Sequence, residues 1–423
     1  MKNIEPKTLK GFRDFLPKEA LKRQYVVDTL KSVFTLYGFA PLETPALEYE
    51  EILSGKYGEE GERLMYKFVD RGGRNVAMRY DQTVPLARVV AQYKNDLPIP
   101  FKRYQMQPVW RAENTQKGRF REFLQVDADI IGSESLLADA EVITLTVKSL
   151  EKLGFKNFKI LINDRKNFSL TSNTKITDED FINIIRAIDK LKKIGREAVV
   201  EEIAKAGISK EEAEKILSEI ETREQTELIK DLMQTLKKMN IPQERIEYCP
   251  TLARGLDYYT GMIFEVEIDG YSAGSVCGGG RYDNLIGLFA GQNIPAVGFA
   301  FGFDRIIEAM DELKLFPQNL ELTKILVTVF SPELIDKSLE VSSRLREVPS
   351  GTSLRSNNIN TELWLDPETK LDRQIKYADK KGIPFVIIIG PDEAEKNKVT
   401  IKNMKTGEQK TIEINSLFDE INK

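Results

Sequence analysis

Apolar and polar residues alternate along this chain with spacings that change from one region to the next. Over residues 18–37 apolar side chains recur every three or four positions, which predicts a helix that ends near Gly38. A second helix is expected to begin near Thr83. Strand-like segments are predicted at residues 39–47, 66–70, 75–79, 101–110 and 121–131. Short strands that follow one another closely predict an antiparallel sheet with flanking helices.

Strand signals disappear between about residues 167 and 247, where patterns rich in Glu, Lys and Ile predict several helices. The sheet is predicted to resume at residues 254–267 and 274–276 and to close at residues 296–303. The helices therefore form an insertion within one domain. The segment 39–47 carries two prolines, which favours an edge position in the sheet.

A linker near residues 316–323 precedes a region in which strands and helices alternate. Such alternation predicts a small α/β domain with a mainly parallel sheet. The expected organisation is an α+β domain over residues 1–320, with its insertion, and an α/β domain over residues 324–423.

Composition narrows the class of protein without identifying it. Of the 423 residues 41% are hydrophobic and 30% charged, which is typical of globular proteins. No apolar run is long enough to span a membrane, and the N-terminus lacks the apolar core of a signal peptide, so the cytoplasm is the expected location. The net charge of −4 means that any RNA-binding surface must be a local basic patch. The two cysteines form no CxxC pair, which argues against a cysteine metal site.

Histidine is absent from the chain, which excludes catalysis by a histidine base, a Ser-His-Asp triad and histidine metal ligands. Two other stretches carry recognisable chemistry, Arg254-Gly255-Leu256-Asp257-Tyr258-Tyr259-Thr260-Gly261 and Gly278-Gly279-Gly280-Arg281-Tyr282-Asp283. Each combines an arginine with tyrosines and glycines. Arginine supplies a fixed cationic fork, tyrosine a rigid wall with a hydroxyl, and glycine lets a ligand approach the backbone. These residue types suit a small zwitterion bound next to phosphates.

The two stretches together resemble the histidine-specific signatures of the histidyl-tRNA synthetases, and the resemblance extends over nearly the whole chain. It implies a class II synthetase sheet followed by an anticodon-binding domain. It also implies ligation of L-histidine to tRNA-His through histidyl-adenylate, with ATP and Mg²⁺. The absence of histidine has two interpretations: compositional drift, or selection in an enzyme that supplies histidine to translation.

Residues 109–123 resemble motif 2 of class II synthetases in its histidine-specific version. The resemblance implies that Arg111 grips the α-phosphate together with the histidine carboxylate. Glu113 would accept a hydrogen bond from the adenine amino group, Phe123 would stack on the base, and Arg119 would meet the outer phosphates. The loop between the two strands would read the acceptor end of the tRNA, including its extra 5′ guanosine, through Gln116, Lys117 and Gly118.

A pocket for the amino acid is implied by the same resemblance. Asp81, Gln82 and Thr83 would hold the α-ammonium group, and Gln125 the amino-acid backbone. Strand alternation puts residues 125, 127 and 129 on one face. Asp129 and Tyr259 would meet the two ring nitrogens of the imidazole, with Tyr258 lining the pocket and Arg254 beside the reacting atoms. Leu124, where many members of the family have histidine, is expected to point away from the pocket.

Three further expectations follow from the resemblance. Arg305 matches the motif 3 arginine, which covers adenine and the γ-phosphate, and the strand near residues 39–45 matches motif 1, which builds a homodimer interface. Catalysis is assigned to Arg111, Arg254 and Gln125, and Mg²⁺ is expected on the ATP phosphates rather than on the protein. The alternative is a regulatory paralogue in an ATP phosphoribosyltransferase complex, which binds histidine without charging tRNA. It is disfavoured because the three motif arginines and the C-terminal domain are present, and prolyl, threonyl and glycyl enzymes are disfavoured by the 254–261 signature.

Overall fold

The computed structural model describes residues 4–115, 119–168, 177–205, 207–254, 258–317, 320, 323–347 and 359–421. The chain packs as two units, Met1–Phe316 and Pro317–Lys423. Among the described residues, no helix is long and apolar enough to cross a membrane.

The strands of the first unit build one large and one small sheet. In chain order they are β1 (Ala40–Pro41), β2 (Leu47–Tyr49), β3 (Lys67–Val69), β4 (Asn75–Met78), β5 (Phe101–Trp110), β6 (Glu122–Ile131), β7 (Phe158–Asp164), β8 (Ile246–Tyr248), β9 (Met262–Ile268), β10 (Cys277–Arg281) and β11 (Ala296–Gly302). The large sheet has the order β1-β5-β6-β11-β10-β9-β7-β8, and the small one β2-β4-β3. In the large sheet β1 runs parallel to β5 and β8 parallel to β7, while the pairings between them are antiparallel. The predicted antiparallel sheet with flanking helices is confirmed.

Helices flank the large sheet and fill the insertion. They are α1 (Pro17–Leu36), α2 (Glu50–Leu53), α3 (Gly58–Leu64), α4 (Thr83–Gln92), α5 (Leu136–Lys152), α6 (Asp178–Ile188), α7 (Leu191–Ile194), α8 (Arg196–Ala204), α9 (Lys210–Glu221), α10 (Glu227–Lys238), α11 (Gly287–Ala290) and α12 (Phe303–Glu312). The helices predicted between residues 178 and 239 are present as α6 to α10. Ser209 and Thr226 cap α9 and α10 by accepting hydrogen bonds from backbone N–H groups in the first turn.

Three strand predictions were wrong. The strand predicted to begin at residue 254 begins at Met262, as β9. The segment 39–47 is not one strand, because it forms the two-residue β1, at the edge of the large sheet, and only the first residue of β2. The strand predicted at residues 274–276 lies instead at Cys277–Arg281, through the glycine run. Glycine has a low intrinsic preference for strands, so the sequence favoured a turn there.

The two faces of the large sheet carry different residues. On one face Val126, Ala128 and Ile130 of β6 join an apolar cluster with side chains from α1, α5, α10 and α12. The alternate residues of the same strand, Gln125, Asp127 and Asp129, are also buried but polar. Leu124 packs against the apolar cluster, as its alternation predicts. The polar face is the place to look for a functional site.

The second unit is a mixed five-stranded sheet with helices. Its strands are β12 (Ile325–Val327), β13 (Thr361–Leu363), β14 (Phe385–Ile388), β15 (Lys398–Asn403) and β16 (Gln409–Glu413), in the order β13-β12-β14-β15-β16, and its helices are α13 (Ile335–Arg346), α14 (Leu371–Lys381), α15 (Pro391–Glu395) and α16 (Leu417–Ile421). β12 runs parallel to β13 and β14, whereas β14–β15 and β15–β16 are antiparallel. The prediction of a mainly parallel sheet was therefore wrong, because the last two strands, β15 and β16, pair in antiparallel orientation.

Candidate active site

Buried charges line the centre of the polar face. Asp127 and Asp129 of β6 are 2% and 3% exposed, and Arg103 of β5 is fully buried. The strand register places Arg103 opposite Asp129 and Gln105 opposite Asp127. Charged side chains at this depth are costly unless they are paired. Their pairing therefore shows how the site is organised.

Asp129 has two protein partners. Its Oδ2 lies 2.7 Å from an Nη of Arg103, and its Oδ1 accepts a hydrogen bond from the hydroxyl of Tyr282. Sequence reasoning assigned a role to Asp129 but none to Arg103 or Tyr282. A signal for Arg103 was available, because Arg103, Gln105 and Gln107 alternate as polar residues along a predicted strand.

Asp127 is held by its neighbour on the same face. The side-chain amide of Gln125 donates to both carboxylate oxygens of Asp127, at 2.9 Å each. Burial is the main reason that the pKa of Asp127 is raised to about 8, and Arg103 opposes that rise. Burial likewise raises the pKa of Asp129 and of Asp81 above the ordinary range.

Asp81 stands at the entrance to α4 and faces the same region. Its carboxylate accepts a hydrogen bond from the hydroxyl of Tyr57 at 2.8 Å and one from the backbone N–H of Val84 at 3.1 Å. Thr83 is the first residue of α4, and its side chain interacts with Tyr258 in a way that opposes the rise in the pKa of that hydroxyl. Sequence reasoning missed Tyr57, which follows no recognisable motif.

Gln82 connects two strands of the large sheet, β5 and β6. Its side-chain nitrogen donates to the backbone carbonyls of Gln107 and Gln125, at 2.8 and 3.0 Å, so it ties β5 to β6. The predicted contact of Gln82 with histidine is not tested by this arrangement, which gives its amide nitrogen a structural partner on each strand.

Arg254 approaches from the opposite side of the polar face. Its backbone has a φ of 57°, in the left-handed region that residues with a side chain seldom adopt. Its guanidinium donates to the carboxylate of Glu265, and its charge opposes the rise in the pKa of the Tyr259 hydroxyl. Although burial lowers it, the neighbouring Glu265 and Tyr259 raise the pKa of Arg254 above its ordinary value. The arginine is therefore a permanent cation held in one direction.

The glycines of β10 make room for protein side chains, which corrects one expectation from the sequence. A Cβ on Gly278 would lie 2.3 Å from the Arg254 guanidinium, and one on Gly280 would lie 2.9 Å from the Tyr259 ring. On β11 a Cβ on Gly298 would lie 1.9 Å from Oδ1 of Asp129. The glycines of β10 therefore let the side chains of Arg254 and Tyr259 pack against the strand, and Gly298 leaves room for the carboxylate of Asp129.

Three tyrosines pack together on the polar face. The rings of Tyr258 and Tyr259 have centroids 4.9 Å apart, and those of Tyr258 and Tyr282 are 5.7 Å apart. Burial raises the pKa of each of the three hydroxyls, so they remain neutral donors at physiological pH. A neutral hydroxyl can donate to, or accept from, an imidazole nitrogen.

The motif 2 residues gather at the Trp110–Glu122 end of the β5–β6 hairpin. Nε of Arg111 donates to the carbonyl of Tyr80 at 3.0 Å, and its guanidinium lies 5.3 Å from the centre of the Phe123 ring. Arg119 and Glu113 form an ion pair at 3.5 Å. The structure therefore brings the predicted phosphate and adenine contacts close together. The predicted tRNA-reading residues Gln116, Lys117 and Gly118 lie outside the described residues, as do Gly255, Leu256 and Asp257.

Arg305 lies near the end of the same face. It is the third residue of α12, and its Nη1 donates to the carbonyl of Ser275 at 2.6 Å. A Cβ on Gly302 would lie 3.5 Å from Cδ of Arg305, and Gly302 pairs with Gln125 across the sheet. Arg305 therefore lies next to Gln125, the first of the buried polar residues of β6, which are Gln125, Asp127 and Asp129.

The predicted site residues divide into two neighbouring groups. One group combines buried carboxylates with an arginine and tyrosines: Asp81, Thr83, Gln125, Asp129, Arg254, Tyr258 and Tyr259. The other group, Arg111, Glu113, Arg119, Phe123 and Arg305, offers guanidinium groups and an aromatic face near the end of β6. Among the described residues, no cluster of three acidic or cysteine side chains could hold a metal ion.

Comparisons with known proteins find relatives that match nearly the whole chain. The family model described as "Histidyl-tRNA synthetase" matches residues 11–306, and one described as "Anticodon binding domain" matches residues 324–423. A curated histidine–tRNA ligase from Cytophaga hutchinsonii is 40% identical over 460 residues, covering 99% of this chain and 98% of its own length.

Solved structures extend the comparison to the fold. The crystal structure of histidyl-tRNA synthetase from Nostoc sp. PCC 7120 matches with a TM-score of 0.84 and 32% identity, over 99% of both chains. A structure from Bacillus halodurans described as an ATP phosphoribosyltransferase regulatory subunit/histidyl-tRNA synthetase has a TM-score of 0.67 and covers 89% of this chain and 97% of its own. Its identity is 24%, so that likeness concerns the fold alone.

Proposed function

Since this chain belongs to the histidyl-tRNA synthetase family, we propose that the polar face of its eight-stranded sheet is where histidine and ATP react. The chain attaches histidine to tRNA-His, as its full-length relatives do. The observation that carries the proposal is the cluster of carboxylates (Asp129 and Asp81), a cation (Arg254) and a tyrosine (Tyr259) that interact with one another. It offers anionic, cationic and neutral partners for one small zwitterion.

The proposed pose matches each part of histidine to a partner. The α-ammonium group is held by Asp81, Gln82 and Thr83, with Gln125 beside the amino-acid backbone. The carboxylate faces Arg111 and Arg254. The two ring nitrogens meet Asp129 and Tyr259. Burial supports this pose, because a buried hydrogen-bonding group rejects ligands that would leave it unpaired.

ATP is proposed to bind at the end of β6, next to the amino acid. The family uses ATP, and the guanidinium groups of Arg111, Arg119 and Arg305 suit its phosphates, while Phe123 offers a stacking face. The ion pair of Arg119 with Glu113 would open when Arg119 meets the outer phosphates and Glu113 the adenine amino group. Mg²⁺ would be carried by the ATP phosphates rather than by the protein, and it would neutralise part of their charge beside Arg119 and Arg305.

The first step forms histidyl-adenylate. An oxygen of the histidine carboxylate attacks the α-phosphorus, a new O–P bond forms, and the bond to pyrophosphate breaks. The nucleophile is already ionised, so the step needs alignment and charge neutralisation rather than a base. Arg111 and Arg254 would stabilise the charge that develops between the carboxylate and the phosphate.

In the second step a ribose hydroxyl of the terminal tRNA adenosine attacks the carbonyl carbon, and AMP leaves. No histidine is present to accept the hydroxyl proton. We propose that a phosphate oxygen of the adenylate accepts it. If an Asp81 or Glu113 variant lost single-turnover transfer but still formed the adenylate, that residue would instead be the base.

Recognition of the tRNA is proposed to involve both units. The loop with Gln116, Lys117 and Gly118 would read the acceptor end, and the C-terminal domain, which matches an anticodon-binding model, would read the anticodon. β1 at the edge of the large sheet leaves an unpaired strand edge that would support a homodimer. Because tRNA is the substrate, we infer that the protein acts in the cytoplasm.

The decisive experiment is histidine-dependent charging of a tRNA-His transcript, with and without the extra 5′ guanosine. Charging that depends on the guanosine supports the whole proposal, including the motif 2 loop. Binding of histidine without charging would favour the regulatory paralogue instead. A pull-down with an ATP phosphoribosyltransferase subunit would then separate that alternative from an inactive preparation.

A further inference from the structure

Arg103 is a fully buried cation beside the proposed imidazole site, and the synthetase motifs assign it no role. Its guanidinium lies 2.7 Å from Oδ2 of Asp129 and 3.3 Å from the side-chain oxygen of Gln105. Its exposed fraction is 0%, so it cannot be an ordinary surface charge that happens to meet an acid. Burial of an arginine removes its hydration, and interactions with its partners must offset that cost.

The surroundings of Asp129 explain why such a cation is needed. The charged and titratable groups that face this carboxylate are Asp127 on the same strand, Asp81 before α4, Arg103, Tyr259 and Tyr282. Burial and the neighbouring carboxylates favour the protonated form of Asp129, and Arg103 is the cation among these groups that opposes them. Without Arg103, the buried carboxyl groups of Asp81, Asp127 and Asp129 would lie close together with no cation among the groups that face Asp129.

The protonation state of Asp129 decides what it can recognise. An ionised carboxylate only accepts hydrogen bonds, so it selects a ligand that presents an N–H. A protonated carboxyl also donates, and it can then pair with an unprotonated ring nitrogen or with a hydroxyl. Oδ1 of Asp129 accepts a hydrogen bond from Tyr282, whereas Oδ2 forms an ion pair with Arg103 but accepts no hydrogen bond from the part of the protein that the structure describes. Oδ2 can therefore accept a hydrogen bond from a ligand N–H.

We propose that Arg103 is a positioning residue for histidine selection, which keeps Asp129 ionised and oriented toward the imidazole N–H. This inference rests on the proposed contact between Asp129 and the imidazole. Arg103 itself touches no substrate, and it acts through the carboxylate. The contribution of Arg103 to histidine binding should therefore depend on pH, because Arg103 acts by keeping Asp129 ionised.

The test compares wild type with Arg103→Met by ATP–pyrophosphate exchange between pH 6.5 and 9. In the variant the pKa of Asp129 rises, and each unit by which it exceeds the assay pH costs about tenfold in ionised enzyme. The KM for histidine should therefore be raised about tenfold or more at pH 7 and should approach wild type near pH 9, with kcat changed little. Titration of free histidine cancels in the ratio of variant to wild type.

Two further variants separate this effect from simple damage to the fold. Arg103→Lys keeps the charge, so its KM ratio should stay flat with pH even if it is raised a few-fold overall. Asp127→Asn in both backgrounds removes the second carboxyl that titrates nearby, and the pH-dependent ratio should persist without it. If thermal unfolding shows that Arg103→Met does not fold, Arg103→Gln replaces it as the neutral variant.

Three outcomes would overturn the inference: a KM ratio that is constant with pH in the neutral variant, a loss in kcat alone, or a pH-dependent ratio in Arg103→Lys. Asp129→Asn is measured in parallel. An unchanged histidine KM in that variant would reject the proposed imidazole contact itself. A raised KM in Asp129→Asn, together with wild-type behaviour of Arg103→Met at every pH, would reject only the role of Arg103.

Discussion

The two faces of the eight-stranded sheet come from alternate residues of the same strands, yet their chemistry is opposite. On β6 the residues Val126, Ala128 and Ile130 enter an apolar cluster, while the residues between them are an amide and two carboxylates. On β11 Phe299 lies beneath the sheet, and its neighbour Gly298 lies on the other face against Asp129. Both faces are buried, so burial alone does not separate core from site.

The difference between the faces shows what each contributes. The apolar face gains stability from every side chain it removes from water. Charged side chains on the polar face lose their hydration, which destabilises the fold. Arg103 offsets this cost for Asp127 and Asp129 only in part, because the pKa of both carboxyl groups stays raised. A fold tolerates such a face where its groups have another use, which here is the binding of a charged substrate.

The largest effect is expected for Asp129→Ala on the polar face. Selection of histidine over amino acids without ring nitrogens should fall by a factor on the order of 10⁴, because the partner of the imidazole is lost. ATP binding should survive, since Arg111 and Arg305 remain. ATP–pyrophosphate exchange with histidine and with competing amino acids measures the first quantity, and ATP titration the second.

Ile130→Val is the matched control for that variant, since the next residue on β6 faces the apolar cluster. It should lose about 0.5–1.5 kcal/mol of stability and leave the KM for histidine unchanged. Unaltered histidine affinity in Asp129→Ala would remove Asp129 from the pocket. Altered affinity in Ile130→Val would show that the two faces are not independent.

Phe299→Ala tests the apolar face. The Phe299 ring contacts those of Phe34, Phe264 and Phe301, with centroids 5.0–6.4 Å apart. Its removal should lower the free energy of unfolding by about 3–5 kcal/mol, measured by urea titration. The histidine KM of the folded fraction should match wild type. A selective loss of histidine binding without loss of stability would contradict the division between the faces.

Gly298→Ala adds a single methyl group to the polar face. The new Cβ would lie 1.9 Å from Oδ1 of Asp129, so the carboxylate must move. We expect a cost of about 1–3 kcal/mol, seen as a rise of about tenfold or more in the histidine KM. Gly302→Ala on the same strand and face is the control, since its nearest neighbour would be 3.5 Å away. Equal effects of the two substitutions would mean that steric contact with Asp129 is not the cause.

The sequence predicted one face of the sheet better than the other. The bounds of β5 were predicted as observed, and α1 to within one residue, because a regular spacing of apolar residues marks them. The helix α5 was not predicted. Residues on every side of it are buried, from Ala138 to Leu150, so it lacks the polar stripe that gives a surface helix its periodicity.

On the polar face, motif resemblance identified single residues but not their partners. The bond between Tyr282 and Asp129 joins residues 153 positions apart, and the pair of Arg103 with Asp129 depends on the register of the β5–β6 hairpin. Neither contact can be predicted from a local sequence pattern. The glycines of β10 were misread for the same reason, since only the fold shows that Arg254 and Tyr259 occupy the space above them.

The smallest expected effect concerns the cost in stability of the polar face, and Asp127→Asn isolates it. The pKa of Asp127 is raised from 3.8 to about 8 by burial. Between these two values the folded state keeps a proton that the unfolded state has lost. Unfolding then releases a proton, so a rise in pH favours the unfolded state and stability falls, until the slope vanishes above pH 8. The limit is about 1.4 kcal/mol for each pH unit.

Asparagine does not titrate and resembles the protonated acid at every pH. The free energy of unfolding of the variant should therefore lack the decrease with pH that Asp127 causes. The difference in unfolding free energy between wild type and Asp127→Asn should therefore shift in favour of the variant by about 1 kcal/mol between pH 6.5 and 7.5. Asp231→Asn, at an exposed position on α10, is the control and should leave the difference constant. If Asp127→Asn gave the same pH dependence as wild type, Asp127 would be ionised in the folded protein. Arg103 would then offset both carboxylates fully, and the polar face would cost the fold less than its burial implies.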